Sequence, residues 1–272
     1  MLSLLEITIP ENNGRIRQWW HNVSEPSVQA YMRPVGGTHY MHINCEKRKE
    51  RIDWKLIRSY SLDCSDRILL PKNIEPPEEC GIKRFTPYEF RRRLLENTAC
   101  DILVCSHKRP ELRRVAIYGQ ESEVTAFLPR LTKLAGEIRV ITRRAHAVLD
   151  TVEELRAKTG AAIGVGEQFD AVGFDMLIAP AGGAQVFNIS DNAIVLSPDR
   201  PSRPVTLWIN SAVPQLPQEL EEIYREEFDL TEFVGGFYEA AELRRAGHMS
   251  VAAAVTESGL IMPDEAAEFI GH

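Results

Sequence analysis

No apolar run in these 272 residues approaches the roughly 20 that a membrane-spanning helix needs. The opening MLSLLEITIPENN lacks a basic start and a long apolar core, so it reads as a strand and not as a secretion signal. Cysteine is scarce and unpatterned. Cys45, Cys64, Cys80, Cys100 and Cys105 form an odd set with no CxxC spacing, which predicts reduced thiols in the cytoplasm. The sequon Asn22-Val23-Ser24 is then expected to carry no glycan. The sequence also contains no Walker loop, no nucleophile elbow, no catalytic carboxylate pair, no internal repeat and no low-complexity tract. It therefore assigns no catalytic residue.

Basic charge is not in excess, because the net charge is −7. It is also uneven. Residues 1–110 hold 18 basic and 14 acidic side chains, a balance of +4, whereas the remainder holds 14 and 25, a balance of −11. The step predicts a domain boundary near residue 110, giving an N-terminal domain over 1–110 and a C-terminal one over 111–272. An acidic second half repels polyanions, so nucleic acid is not an expected partner.

In the first domain, SVQAYMRPV and THYMHINCE are β-rich runs separated by Gly36-Gly37, the signature of a two-residue hairpin. RIDWKLIRSYSLD has apolar residues at helical spacing. TPYEFRRRLLENTA opens on a capping box, Thr86 with Glu89, with Pro87 in the first helical position. His39, His42 and Cys45 lie close in sequence, but His39 and His42 fall on opposite faces of a strand, so no metal site is expected. The doublet Trp19-Trp20 reads as core or interdomain contact. The basic cluster Lys83-Arg84 with Arg91-Arg92-Arg93 reads as a solvated face, or as a surface that docks on acid from the second half or from a second copy of the chain. His107, beside Lys108 and Arg109, reads as linker surface.

From residue 111 the rhythm becomes strand, helix, strand, helix, strand: RRVAIYG, ESEVTAFLPRLTKLAG, EIRVITRR, AHAVLDTVEELRAKTG and AAIGVG. Short connections between such elements predict a parallel sheet flanked by helices. FDMLIAP supplies a further strand, AQVFNISDNAIVLS reads as a hairpin turning at 190–192, and PVTLWIN adds another strand. Acidic helices are expected over PQELEEIYREEF and TEFVGGFYEAAELRRAG, with close packing or a break at Gly235-Gly236.

Residues 113–180 resemble the first half of a Rossmann-type NAD(P)-binding domain, as it follows a separate N-terminal domain in shikimate dehydrogenases. The resemblance implies a three-layer Rossmann-like α/β domain with a mixed, mostly parallel sheet, preceded by a smaller α+β domain. It also implies where a ligand would lie, beyond the carboxyl ends of the strands. The candidate binding residues there are Gly119, Gln120, Ser122, Thr142, Arg143, Arg144, Gly182 and Gly183. Gly166–Gln168 and Asn210-Ser211 are nearby stretches, and SPDRPSRP is a stiff connecting loop.

The dinucleotide template requires three glycines in the first turn. Gly119 fills the first position, but Glu121 stands at the second and Val124 at the third. A carboxylate there repels a pyrophosphate, while at a helix N-terminus it complements the free N–H groups. The expectation is therefore a non-catalytic ligand-binding or interaction module with no cofactor. The alternative is an NADP(H)-dependent oxidoreductase with an atypical turn, because Arg143 and Arg144 stand where a 2′-phosphate would be held.

Overall fold

The computed structural model describes residues 1–8, 27–46, 51–61, 65–167, 172–243 and 249–270. Trp19, Trp20, Cys64, Gln168 and the sequon lie outside them. Packing divides the chain into two compact units, residues 1–90 with 216–248 and residues 91–215 with 249–272. The charge step near residue 110 does not coincide with this division.

The first unit is built on a four-stranded sheet. Strand β1 (Leu2–Thr8) pairs parallel with β3 (Thr38–Glu46) and with the short β4 (Ile68–Leu69), and β2 (Ser27–Val35) pairs antiparallel with β3. The β2–β3 turn is the predicted hairpin: Gly36 and Gly37 have φ of 50° and 86°, the doubly positive pair that a twist-matched two-residue turn requires. One face of this sheet buries Leu5, Val28, Ile43 and Cys45 with Ile57 from helix α1 (Trp54–Ser61). On the other face Tyr40 meets the edge of Phe237, their ring centroids 5.3 Å apart.

The second unit opens with helix α2 (Tyr88–Cys105), whose residues from 91 onward belong to it. Its strands are β5 (Arg114–Tyr118), β6 (Glu137–Ile141), β7 (Ala162–Gly166), β8 (Met176–Ile178), β9 (Ile194–Leu196), β10 (Leu207–Pro214), β11 (Val251–Thr256) and β12 (Gly259–Ile261). Helices α3 (Glu121–Leu131) and α4 (Leu149–Thr159) follow β5 and β6. Gly160 closes α4 in the left-handed conformation, its N–H on the Arg156 carbonyl, which satisfies a carbonyl that the helix end leaves free.

The sheet runs β7-β6-β5-β8-β9-β10-β11-β12, parallel through β10 and antiparallel beyond it. Counted from β5, its six parallel strands follow the order 3-2-1-4-5-6, the arrangement of dinucleotide-binding sheets. Strand β5 is interior, between β8 and β6, and Gly119 leads into α3 as expected. The hairpin expected over 184–197 is not formed. Its first half is a 3₁₀ turn (Ala184–Val186), and its second half is β9, parallel to both neighbours. Alternation along the strands explains the two cores. Val115 and Ile117 face α2, α3 and α4, whereas Ala116 and Tyr118 face the connecting segments that carry Phe174, Phe187 and Ile189.

Of the acidic helices, the first is short, α5 (Gln218–Glu221), and the second is α6 (Leu230–Glu239). Both belong to the first unit. Helix α6 is continuous through Gly235-Gly236. A Cβ on Gly235 would come within 2.5 Å of Pro87, and one on Gly236 within 2.9 Å of Leu69, so the pair marks close packing. Helix α7 (Pro263–Ala267) adds Ala266 and Ala267 to the core under the large sheet. Among the described residues no helix is long and apolar enough to cross a membrane.

Candidate functional site at the carboxyl edge of the large sheet

The strand order reverses between β5 and β8, so the segments leaving these two strands border the crevice where open α/β sheets take ligands. After β5 the chain turns at Gly119, whose N–H donates to the Ile141 carbonyl at 3.3 Å, and Gln120 caps α3. The Glu123 carboxylate accepts from the Gln120 backbone N–H at 3.1 Å. Its other oxygen lies 3.4 Å from Nε of Arg92. A Cβ on Gly119 would stand only 3.3 Å from Glu123 Oε2. The first-position glycine therefore makes room for a side chain of this chain.

Behind Glu123 stands a buried charge cluster. Arg92 is 3% exposed and Glu96 is 1% exposed, and they form an ion pair one helical turn apart on α2. Arg93 reaches the same carboxylate at 3.1 Å. Burial pushes the Glu96 carboxyl above its ordinary pKa, against the opposing pull of Arg92, Arg93 and Arg130. Glu121, the acid that sequence placed in the pyrophosphate position, makes a looser contact: its carboxylate lies 3.5 Å from the buried Thr142 hydroxyl.

A second carboxylate closes the turn after β8. Gly182 and Gly183 have φ of 94° and 95°. The Gly183 N–H donates to Asp199 Oδ2 at 2.7 Å, and a Cβ on Gly183 would fall 2.5 Å from the Tyr118 ring. Asp199 comes from the proline loop expected only to connect. No sequence signal tied it to the glycine pair sixteen residues earlier.

The structure thus brings Gly119, Gln120 and Thr142 together around the start of α3, and sets Gly182 and Gly183 against Tyr118. Ser122, Arg143 and Arg144 are exposed, and neither arginine has a partner among the described residues. Asn210 follows Ile209, which pairs with Leu196, so it is level with the end of β9 at a bulge in β10. His107 is exposed, and Lys108 binds Asp175 at 2.7 Å. A cavity of about 500 Å³ lies elsewhere in this unit, between the 200–208 segment and the turn after β11. There Arg200 lies 6.0 Å from the Trp208 ring centroid and pairs with Glu257 at 3.1 Å.

No protein-family model matches the chain, and no curated protein matches it. Among solved structures, the crystal structure of L-tryptophan dehydrogenase from Nostoc punctiforme aligns over 99% of this chain and 87% of that one, at 14% identity and a TM-score of 0.35. A likeness this slight carries no argument about activity.

Proposed function

We propose that the protein is a non-catalytic ligand-binding or interaction module built on a dinucleotide-type sheet whose phosphate position is held by its own carboxylate. The observation that carries this reading is the double engagement of Glu123, with the Gln120 N–H on one side and Arg92 on the other. A helix N-terminus attracts an anion through its free N–H groups and its dipole. Here a covalently attached anion already answers that attraction, so a phosphate must displace it and then face Glu121 as well. Asp199 does the same for the Gly183 N–H.

Titration calorimetry of the unmodified protein should detect no micromolar binding of NAD(H) or NADP(H), and such binding would overturn the proposal. The second reading, an NADP(H)-dependent oxidoreductase, is favoured by one observation: Arg143 and Arg144 stand exposed after β6, where a 2′-phosphate would lie. It requires NADP(H) at 100 times its dissociation constant to raise stability by about 2.7 kcal/mol. It further requires Glu121→Gly to improve that affinity.

A further inference from the structure

We propose a second site, in the first unit: a pocket that takes a small carboxylate, with Arg33 and Arg225 as its anion-binding groups. The pocket, about 50 Å³, is bordered by Glu6, Arg33, Tyr40 and His42 from the sheet and by the segment around Glu222 and Arg225. By the volume one water needs, it holds about four waters or one carboxylate head group.

Strand register explains why these side chains meet. Leu4 is paired with His42, and Arg33 lies directly opposite Tyr40. Alternation then sends Leu4, Glu6, Tyr40, His42 and Arg33 to one face. Three adjacent strands so present an acid, an imidazole, a phenol and a guanidinium side by side, where a sheet face under a helix ordinarily shows apolar residues. The roof is fixed in place by Lys72, whose N–H donates to the Glu227 carbonyl at 2.7 Å and whose ammonium donates to the Glu226 carbonyl at 3.0 Å.

The bonding of these groups decides the ligand's charge. The Glu6 carboxylate is taken by His42 Nε2 at 2.7 Å, and His42 is 5% exposed. Its Nδ1 is buried with no hydrogen-bond partner among the described residues. Arg225 spends one terminal nitrogen on the Glu222 and Tyr224 carbonyls, leaving its other donors unengaged among the described residues. Arg33 lies beside the Tyr40 hydroxyl, whose pKa burial raises and Arg33 opposes, so the phenol stays a neutral donor. Two guanidinia and a phenol supply N–H and O–H donors; of the acids nearby, Glu6 is bonded to His42, Glu222 borders the pocket, and Glu227 lies within electrostatic reach of Arg225. A planar carboxylate is the acceptor that a guanidinium fork matches.

The test uses the full-length protein and acetate as the probe, with sodium chloride at equal ionic strength as the control. Acetate should bind saturably, read by the ring signals of His42 and Tyr40 in NMR, and methylammonium should not. Arg33→Gln and Arg225→Gln alter exposed side chains, so folding should survive, as checked by the melting temperature. Each should weaken acetate binding about tenfold or more, the size of a lost charge-assisted hydrogen bond. The proposal fails if acetate shifts do not saturate, if methylammonium produces them instead, or if both variants bind acetate as the unmodified protein does.

Discussion

Glu123 and Glu121 stand two residues apart in the same helical turn, and their environments separate them. Glu123 accepts from the helix cap and faces a buried guanidinium, whereas Glu121 has a 3.5 Å contact with Thr142. Removing Glu123 therefore strips a capping interaction and leaves Arg92 with less compensation. Glu123→Ala should cost about 1–2 kcal/mol in urea unfolding. Glu121→Gln should stay within about 0.5 kcal/mol. The reverse ranking would mean that the wrong carboxylate has been assigned to the phosphate position.

At the scale of elements, α2 shows how three consecutive arginines acquire three roles. Each residue advances the helix by about 100°, so Arg91 points to solvent, Arg92 is buried, and Arg93 lies between. The expectation of a solvated basic face fails for Arg92. Acid from the second half of the sequence does meet this basic segment within each unit: Arg92 with Glu123, and Arg84 with Glu232 at 3.2 Å. Breaking a buried pair leaves an uncompensated charge, so Arg92→Met should destabilise by about 3–5 kcal/mol. Arg91→Met should change stability by no more than about 0.5 kcal/mol. Denaturant midpoints with unchanged slopes would report both, and equal losses would contradict the burial of Arg92.

For the molecule as a whole, buried acids shape the response to pH. Burial raises the carboxyls of the buried Glu96 and the half-buried Asp101. Each keeps its proton in the folded chain over a window where the unfolded chain has released it. Folding takes up protons there, so these groups withdraw stability as pH rises through the window. Arg130 opposes the shift at Asp101 without reversing it. Asp101→Asn removes one such group. It should raise the melting temperature at neutral pH, and the gain should vanish below about pH 4, where the acid is protonated in both states. A gain that persists in acid would assign it to packing instead.

Local pattern alone was enough for the β2–β3 hairpin and for the run from β5 through β7, because two glycines in a turn and strand–helix alternation act within a few residues of themselves. The opposite faces of His39 and His42 follow from the two-residue period in the same way. The direction of strand β9, expected as the second arm of a hairpin, was not legible. A three-residue apolar run has no period to read, and its parallel direction is set by the crossovers on either side. Helix α6 was legible as a helix but not in its destination, which is the first unit rather than the sheet that precedes it in sequence. The candidate site divides along the same line. Gly119, the turn and the two acids that follow it were visible in the residues. That Glu123 holds the cap, that Asp199 meets Gly183, and that Arg33 faces Tyr40 depend on strand register and helix rotation. Side chains far apart in sequence become neighbours only when whole elements pack, and that packing is decided by the summed burial of the core, to which no single motif contributes more than a small part.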